Sequence, residues 1–176
     1  MILKLKRTPG LYLVGFMASG KTTIGRSLAE ELGWSFADID EDVEARQGIT
    51  INEIFKTQGE SEFRTLETNA IRERVRVVER GCPIVIVLGG GAFVQQANFD
   101  LLENNGITVW LDCPLALIRA RVGRSEHRPL ARDPVQLEDL YEARRPAYAR
   151  ADFRIEIKGD DPAVAVADIL HLPIFG

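Results

Sequence analysis

The chain has 176 residues, with 22 Lys and Arg against 26 Asp and Glu, and a formal net charge of −4 at pH 7. This length predicts one domain, spanning residues 1–176, and the acidic balance gives no sign of a nucleic-acid or membrane partner. Residues 1–7 lack the pattern of a signal peptide, so none is expected, and the longest apolar stretch, 83–94, is too short to cross a bilayer. We therefore expect a cytoplasmic protein, and nothing in the sequence requires more than a monomer. The two cysteines, Cys82 and Cys113, lack the spacing of a metal site and are interpreted as reduced, buried thiols.

Strand-like and helical patterns alternate along the chain. Strands are predicted at 11–14, 34–37, 84–88, 107–111 and 153–157. Helices are predicted at 22–32, 41–47, about 50–79 with a break at Gly59, 98–103, 114–122, 134–149 and 162–170. This alternation is typical of a parallel sheet covered by helices on both faces, a three-layer α/β/α fold. In such sheets, ligands bind at the carboxyl ends of the strands.

The first predicted strand runs into Gly15-Phe16-Met17-Ala18-Ser19-Gly20-Lys21-Thr22, which matches the phosphate-loop pattern G-x-x-x-x-G-K-[ST] over residues 15–22. The glycines let the backbone curl so that several N–H groups point at one anion, and the helix dipole adds to the attraction. Lys21 would reach the β- and γ-phosphates, and the Thr22 hydroxyl would ligate Mg²⁺. The alternative is an ordinary strand–turn–helix, which explains the pattern less well. The loop therefore predicts a site for a nucleoside triphosphate.

Two carboxylates follow the second predicted strand, in Asp38-Ile39-Asp40. Residues two apart in an extended segment point the same way, so both carboxylates can face the site. One would serve the metal, and the other would orient an acceptor hydroxyl and take its proton. Alternatively, Asp40 is the N-cap of a helix that begins at Glu41.

The third predicted strand ends in Gly89-Gly90-Gly91. Three glycines remove every side chain from the place where a second ligand would lie, and they leave N–H groups free to hold an oxygen or a carboxylate. A strand exit that needs positive φ would account for one glycine and explains three less well.

Arg64 has two interpretations. On a helix surface it would pair with Glu60 and Glu67, for about 0.3–0.5 kcal/mol. As a functional residue it would clamp a substrate carboxylate while Glu67 holds it in place. The residues alone do not choose between the two. The aromatic residues Phe55 and Phe63 are interpreted as core residues.

Arginines are concentrated in residues 121–150. The polar segment from about 121 to 133 is predicted to be a mobile lid that excludes water from the γ-phosphate and delivers an arginine; the alternative is a solvated basic loop. Farther on, Arg144 and Arg145 lie near a helix end that Pro146 would kink or terminate. Two anionic ligands, a triphosphate and an acidic acceptor, would account for this excess of arginine.

In this order, the motifs resemble those of the shikimate kinases, small P-loop kinases with a nucleoside-monophosphate-kinase-like fold. The matching motifs are Gly-Phe-Met-Ala-Ser-Gly-Lys-Thr-Thr-Ile-Gly at 15–25, Asp38-x-Asp40, Phe63-Arg64, Gly89-Gly90-Gly91, Arg128-Pro129-Leu130 and Arg144-x-Pro146-x-Tyr148. The phosphate loop alone indicates nucleotide binding, whereas the other motifs make the resemblance specific. It covers nearly the whole chain, from Leu11 to about Leu170.

The resemblance implies ATP-dependent phosphorylation of the 3-hydroxyl of shikimate, a step toward chorismate and the aromatic amino acids. The acceptor would bind in the helical region 40–79. Asp40 would bind the shikimate hydroxyls and act as the base. Arg64 and Arg144 would grip the shikimate carboxylate, and Gly90 would supply backbone contacts.

On the nucleotide side, the resemblance implies ATP contacts from Ala18, Ser19, Gly20, Lys21, Thr22, Thr23, Arg121 and Arg128. Lys21 and Arg128 would also be catalytic, with Arg128 closing from the lid onto the phosphates. Arg121 would stack on adenine, and Asp38 would reach Mg²⁺ through water. The family often places Gln or Asn beside the adenine near the C-terminus; here the sequence is Gly159-Asp160-Asp161-Pro162, so the adenine contacts there stay open. Arg124 and Arg132 could share the role given to Arg128.

Two other functions compete with this one. A kinase of the same architecture for another small molecule, such as gluconate, would have the same phosphate loop and lid and would differ on the acceptor side. A non-catalytic binding module would be expected to lose Lys21, Asp40 or the lid arginine. All three are present, which favours an enzyme.

Overall fold

A parallel sheet of five strands forms the centre of the protein in a computed structural model, which describes residues 10–124 and 133–175. The strands are β1 (Gly10–Val14), β2 (Ser35–Asp38), β3 (Ile84–Val87), β4 (Ile107–Asp112) and β5 (Phe153–Glu156). Their spatial order is β2-β3-β1-β4-β5, and all four neighbouring pairs are parallel. The strands β2 and β3 lie on one side of β1, and the later strands β4 and β5 lie on the other. The carboxyl end of β1 is therefore the switch point at which such sheets bind ligands.

Seven helices surround the sheet in the described part of the chain. They are α1 (Lys21–Leu32), α2 (Ile39–Gln47), α3 (Ile51–Glu79), α4 (Gln96–Glu103), α5 (Leu115–Val122), α6 (Pro134–Tyr148) and α7 (Pro162–Leu170). Every residue of β1 and of β3 is buried, as expected of strands covered on both faces. The predicted α/β fold with a central parallel sheet is confirmed, and each predicted element overlaps an observed one.

Three local predictions have different outcomes. Gly59 has φ 86° and ψ 168° and interrupts α3, as its position predicted. Pro146 does not end its helix, because α6 continues to Tyr148. Cys113 is buried as predicted. The prediction that Cys82 is buried is wrong, because Cys82 lies in the short segment between α3 and β3 and is exposed.

Across residues 10–124 and 133–175, no helix combines the length and the hydrophobicity needed to span a lipid bilayer.

Candidate active site

A cleft of about 1610 Å³ opens beside the phosphate loop and the carboxyl ends of β2, β3 and β5. It brings together all the predicted site residues that the structure describes: Ala18, Ser19, Gly20, Lys21, Thr22, Thr23, Asp38, Asp40, Arg64, Gly90, Arg121 and Arg144. Arg128 and Arg132 belong to residues 125–132, which lie outside the described residues, so the predicted lid is described only at its two ends.

The phosphate loop presents the N-terminus of helix α1 to the cleft. Gly20 is the N-cap of α1, with φ 91°, and has no side chain with which to cap that helix. The Lys21 ammonium donates hydrogen bonds to the carbonyl oxygens of Gly15 and Phe16, each at 2.8 Å. Ser19 is fully buried, and its Oγ has no hydrogen-bond partner among the described residues. The N–H groups of a helix N-terminus, a cation and a buried hydroxyl together suit a phosphate group.

Asp38 caps α2 and faces the phosphate loop. Its Oδ1 accepts hydrogen bonds from the N–H groups of Asp40, at 2.9 Å, and Glu41, at 3.4 Å. Its Oδ2 accepts from the Thr22 hydroxyl at 2.7 Å. The predicted extended geometry of Asp38-Ile39-Asp40 is therefore wrong, because α2 begins at Ile39. The alternative prediction, that Asp40 is the N-cap, is wrong as well, because Asp38 is the N-cap. Asp40 reaches the cleft from the first turn of that helix instead.

The oxygen atoms of Thr22 and Asp38 are of the kind that Mg²⁺ prefers. In the described ranges, no group of three or more His, Cys, Asp and Glu side chains is arranged to hold a metal ion. Thr22 and Asp38 are enough for the way in which proteins usually bind Mg²⁺, through one or two side chains together with substrate phosphates and water.

Two carboxyl groups beside the cleft have raised pKa values. Desolvation, reinforced by the negative charge of Asp38, raises the pKa of Asp40 to about 6. Burial raises the pKa of Glu67 to about 7, although Arg64 opposes the shift. Glu67 is 1% exposed, and its Oε2 has no hydrogen-bond partner among the described residues. The sequence identified Glu67 only as a partner of Arg64, because burial at one position of a long helix leaves no local sequence signal.

Each glycine of the Gly89-Gly90-Gly91 segment makes room for a side chain of the cleft. A Cβ atom at Gly89 would lie 2.8 Å from Oδ1 of Asp40, and one at Gly90 would lie 3.1 Å from Nη1 of Arg144. A Cβ atom at Gly91 would overlap the guanidinium of Arg64. None of these three described glycines has positive φ, so a strained strand exit does not explain them. Close packing against three charged side chains does.

Arg64 makes the ion pairs that one interpretation predicts and also reaches the cleft, where the other would need it. Its Nη1 donates to Oε1 of Glu67 at 2.8 Å, its Nη2 lies 3.5 Å from Oε1 of Glu60, and its side chain also lines the cleft. Phe63 is a core residue as predicted. The prediction for Phe55 is wrong: this residue is 36% exposed and lines the cleft, with its ring 4.8 Å from that of Phe63.

Arg121 and Arg144 both line the cleft, and each lies beside a residue of the phosphate loop. Arg121 donates to the carbonyl oxygens of Ala18, at 2.8 Å, and Gly159, at 3.0 Å, and thereby joins the loop to the segment after β5. The Arg144 guanidinium lies 5.8 Å from the centre of the Phe16 ring. The segment after β5, for which the sequence does not decide the adenine contacts, also lines the cleft. Its lining residues are Gly159, Asp160, Asp161 and Pro162.

Comparison with known proteins places the chain in a family. The family model described as "Shikimate kinase" matches residues 17–172, which is most of the chain. The chain belongs to the shikimate kinase family. A shikimate kinase of Persephonella marina is 40% identical over 164 residues, covering 91% of this chain and 96% of that protein. The predicted family resemblance is therefore confirmed.

Solved structures agree with the assignment. A shikimate kinase from Acinetobacter baumannii in complex with shikimate has a TM-score of 0.87 and 38% identity, over 96% of this chain and 94% of that one. A gluconokinase from Sinorhizobium meliloti has a TM-score of 0.55 and 19% identity, over 94% of this chain and 91% of that one. The second likeness shows a shared fold only. The fold of this shikimate kinase family member is that of the P-loop kinases.

Proposed function

We propose that the chain transfers the γ-phosphoryl group of ATP to the 3-hydroxyl of shikimate and releases shikimate 3-phosphate and ADP. One observation carries the proposal: a single cleft joins an open phosphate loop to the Asp40 carboxylate and to the guanidinium groups of Arg64 and Arg144. A kinase that uses ATP needs the phosphate loop. An acceptor that carries both a hydroxyl and a carboxylate needs the carboxylate and the two guanidinium groups. Membership of the shikimate kinase family supports the same reaction.

On the acceptor side, Arg64 and Arg144 would bind the shikimate carboxylate. Charge-assisted bonds from guanidinium to carboxylate are strong and directional, and Glu67 orients Arg64 through a 2.8 Å bond. Gly90 would add contacts from its backbone. The two cations would fix the ring, so that one of its hydroxyl groups meets the carboxylate at the start of α2.

Asp40 would be the base. Its pKa of about 6 leaves it ionised at neutral pH, yet closer to neutrality than an ordinary aspartate. A carboxylate with this pKa would orient the acceptor hydroxyl through a hydrogen bond and accept its proton as the phosphoryl group is transferred. Lys21, on the phosphate loop, would stabilise the charge on the phosphates.

On the nucleotide side, Ala18, Ser19, Gly20, Lys21, Thr22 and Thr23 would bind the phosphates of ATP. Thr22 would hold Mg²⁺ directly and Asp38 would hold it through water, in keeping with the 2.7 Å bond that already joins the two side chains. Held by these two residues, Mg²⁺ would supply positive charge that offsets the charge developing on the phosphates. Arg121, held against the loop by Ala18, would stack on the adenine.

We also propose that residues 1–176 act as one cytoplasmic, monomeric kinase domain, without nucleic-acid or membrane partners. The segment from about 121 to 133 would close over the phosphates and bring Arg128 to them.

Release of ADP from purified protein tests this function directly. The protein would be assayed with Mg-ATP and, in turn, shikimate, gluconate, a nucleoside monophosphate or no acceptor. We expect ADP release that depends on shikimate. ADP release with another acceptor instead would support the proposed nucleotide-binding residues and contradict the proposed shikimate-binding residues. Intact nucleotide binding without release would favour a binding module.

Replacing Arg64 by Ala is expected to raise the KM for shikimate by about 10- to 100-fold, because a charge-assisted clamp contributes about 1.5–3 kcal/mol. The KM for ATP should change little, since Arg64 lies on the acceptor side. Arg72→Ala is the matched control: this arginine lies on the same helix, is exposed and bonds only to Asn69 among the described residues. An Arg64→Ala protein with unchanged affinity for shikimate would refute the assignment.

A further inference from the structure

A buried carboxylate outside the cleft ties helix α6 to the sheet. Asp112 is the last residue of β4 and is 5% exposed. Its Oδ1 accepts from Nη1 of Arg145 at 2.8 Å, and its Oδ2 accepts from Nη2 of Arg145 at 3.2 Å and from Nε of Arg154 at 2.8 Å. Burial opposes ionisation, but the hydrogen bonds from both arginines hold the pKa of Asp112 below its usual range. Asp112 is therefore an anion with two cationic partners, one on α6 and one on β5.

Arg145 is held on several sides. Besides its two bonds to Asp112, its Nη1 donates to the Tyr141 hydroxyl at 2.8 Å, and that hydroxyl donates to the carbonyl oxygen of Cys113 at 2.9 Å. The guanidinium also lies 4.9 Å from the centre of the Trp110 ring. These contacts join one turn of α6 to the end of β4 and to the residue that follows it. None of these side chains lines the cleft.

Arg144, the neighbour of Arg145 on α6, does line the cleft. Successive helix residues point about 100° apart, so one arginine can be fixed in the sheet while the other projects into the cleft. A guanidinium forms two bonds to a carboxylate only when it is held within about 0.5 Å of the right place. A buried ion pair adds little to stability compared with apolar packing, but it can impose one arrangement on the elements that it joins.

We propose that Asp112, acting through Arg145, is a positioning residue that sets the place of Arg144 for the acceptor carboxylate. The inference rests on the proposed function, because it takes Arg144 as a ligand of that carboxylate. Neither Asp112 nor Arg145 touches the acceptor.

Two matched variants test the proposal. Arg145→Gln and Arg154→Gln each remove one guanidinium from the same carboxylate, but only Arg145 lies on the helix that carries Arg144. Binding of shikimate and of ADP would be measured by isothermal titration calorimetry, and thermal stability would be measured in parallel. We expect Arg145→Gln to weaken shikimate binding on the order of tenfold, less than the roughly 100-fold cost of a full 1 Å misplacement. ADP binding should stay within about twofold, and Arg154→Gln should leave both affinities within about twofold.

A purely structural role gives a different result, in which both variants lose thermal stability and neither loses shikimate affinity selectively. That result would overturn the proposal, as would an equal loss of ADP and shikimate binding in Arg145→Gln. Arg145→Lys keeps a cation beside Asp112 with fewer bonds, so it should fold readily and bind shikimate with intermediate affinity; full affinity in this variant would also count against the proposal. An unmodified chain that binds ADP but no shikimate would overturn the proposed function itself, which separates the two failures.

Discussion

Replacement of Asp40 by Asn is expected to lower kcat with shikimate by a factor of about 10²–10⁴, the usual contribution of a positioned base. The amide keeps the shape of the side chain but cannot accept the hydroxyl proton. ATP affinity should change much less than kcat, because the proposed role of Asp40 is on the acceptor side, whereas Asp38 makes the hydrogen bond to Thr22 of the phosphate loop. Steady-state kinetics, together with a separate titration of the nucleotide, would measure both quantities.

The pH dependence gives the same prediction a second test. In the unmodified protein, kcat/KM for shikimate should fall as the pH drops through about 6, where Asp40 gains a proton and can no longer act as a base. The residual activity of Asp40→Asn should lack this acidic limb. Glu41→Gln is the control, since Glu41 lies on the same turn, pairs with Arg26 and is exposed. More than a tenth of the normal kcat in Asp40→Asn would exclude Asp40 as the base.

The parts of the site that the sequence predicted depend on short stretches of chain. The phosphate loop combines a strand, a fixed spacing of glycines and a helix within about a dozen residues, so Lys21 and Thr22 could be placed without knowledge of the rest of the fold. Parallel strands bring their carboxyl ends to one edge, which is why the loop, Asp40 and Gly90 were expected to meet. The fold followed from the same alternation of strands and helices.

The parts that the sequence missed depend on distant packing. The sequence predicts space for a ligand beside Gly89-Gly90-Gly91, but it does not reveal that the carboxylate of Asp40 and two guanidinium groups pack against these glycines. Phe55 has the helical spacing of a core residue, and only the arrangement of α3 in space leaves it at the cleft. Burial of Glu67 likewise arises from neighbours far along the chain. Such contacts are properties of the assembled fold and have no local pattern.

Glu67 should make the protein less stable as the pH rises. Its pKa is about 7 in the folded protein against an ordinary value of 4.5, so between these pH values the folded state binds more protons than the unfolded state. The contribution of Glu67 to the free energy of unfolding therefore falls as the pH increases from about 4.5 to about 7 and is level above that range. At 1.36 kcal/mol per pKa unit, ionised Glu67 costs on the order of 3 kcal/mol. Glu67→Gln keeps an oxygen that can accept from Arg64 and removes the buried charge.

We therefore expect Glu67→Gln to be more stable than the unmodified protein at pH 8, by on the order of 3 kcal/mol, and nearly equal to it at pH 4. Urea unfolding at pH 4, 6 and 8 would measure the difference. Glu73→Gln is the control on the same helix: its ion pair with Arg46 lowers the pKa of Glu73, so this variant should be the less stable one at pH 8, by an amount that shrinks as the pH falls. A Glu67→Gln protein that gains nothing at pH 8 would mean that Glu67 ionises without cost in the fold. If instead Glu67→Gln gains stability at pH 8 and Glu73→Gln loses it, the carboxylate of Glu67 destabilises the fold. The protein would then keep this carboxylate because it holds the Arg64 guanidinium in place for a substrate.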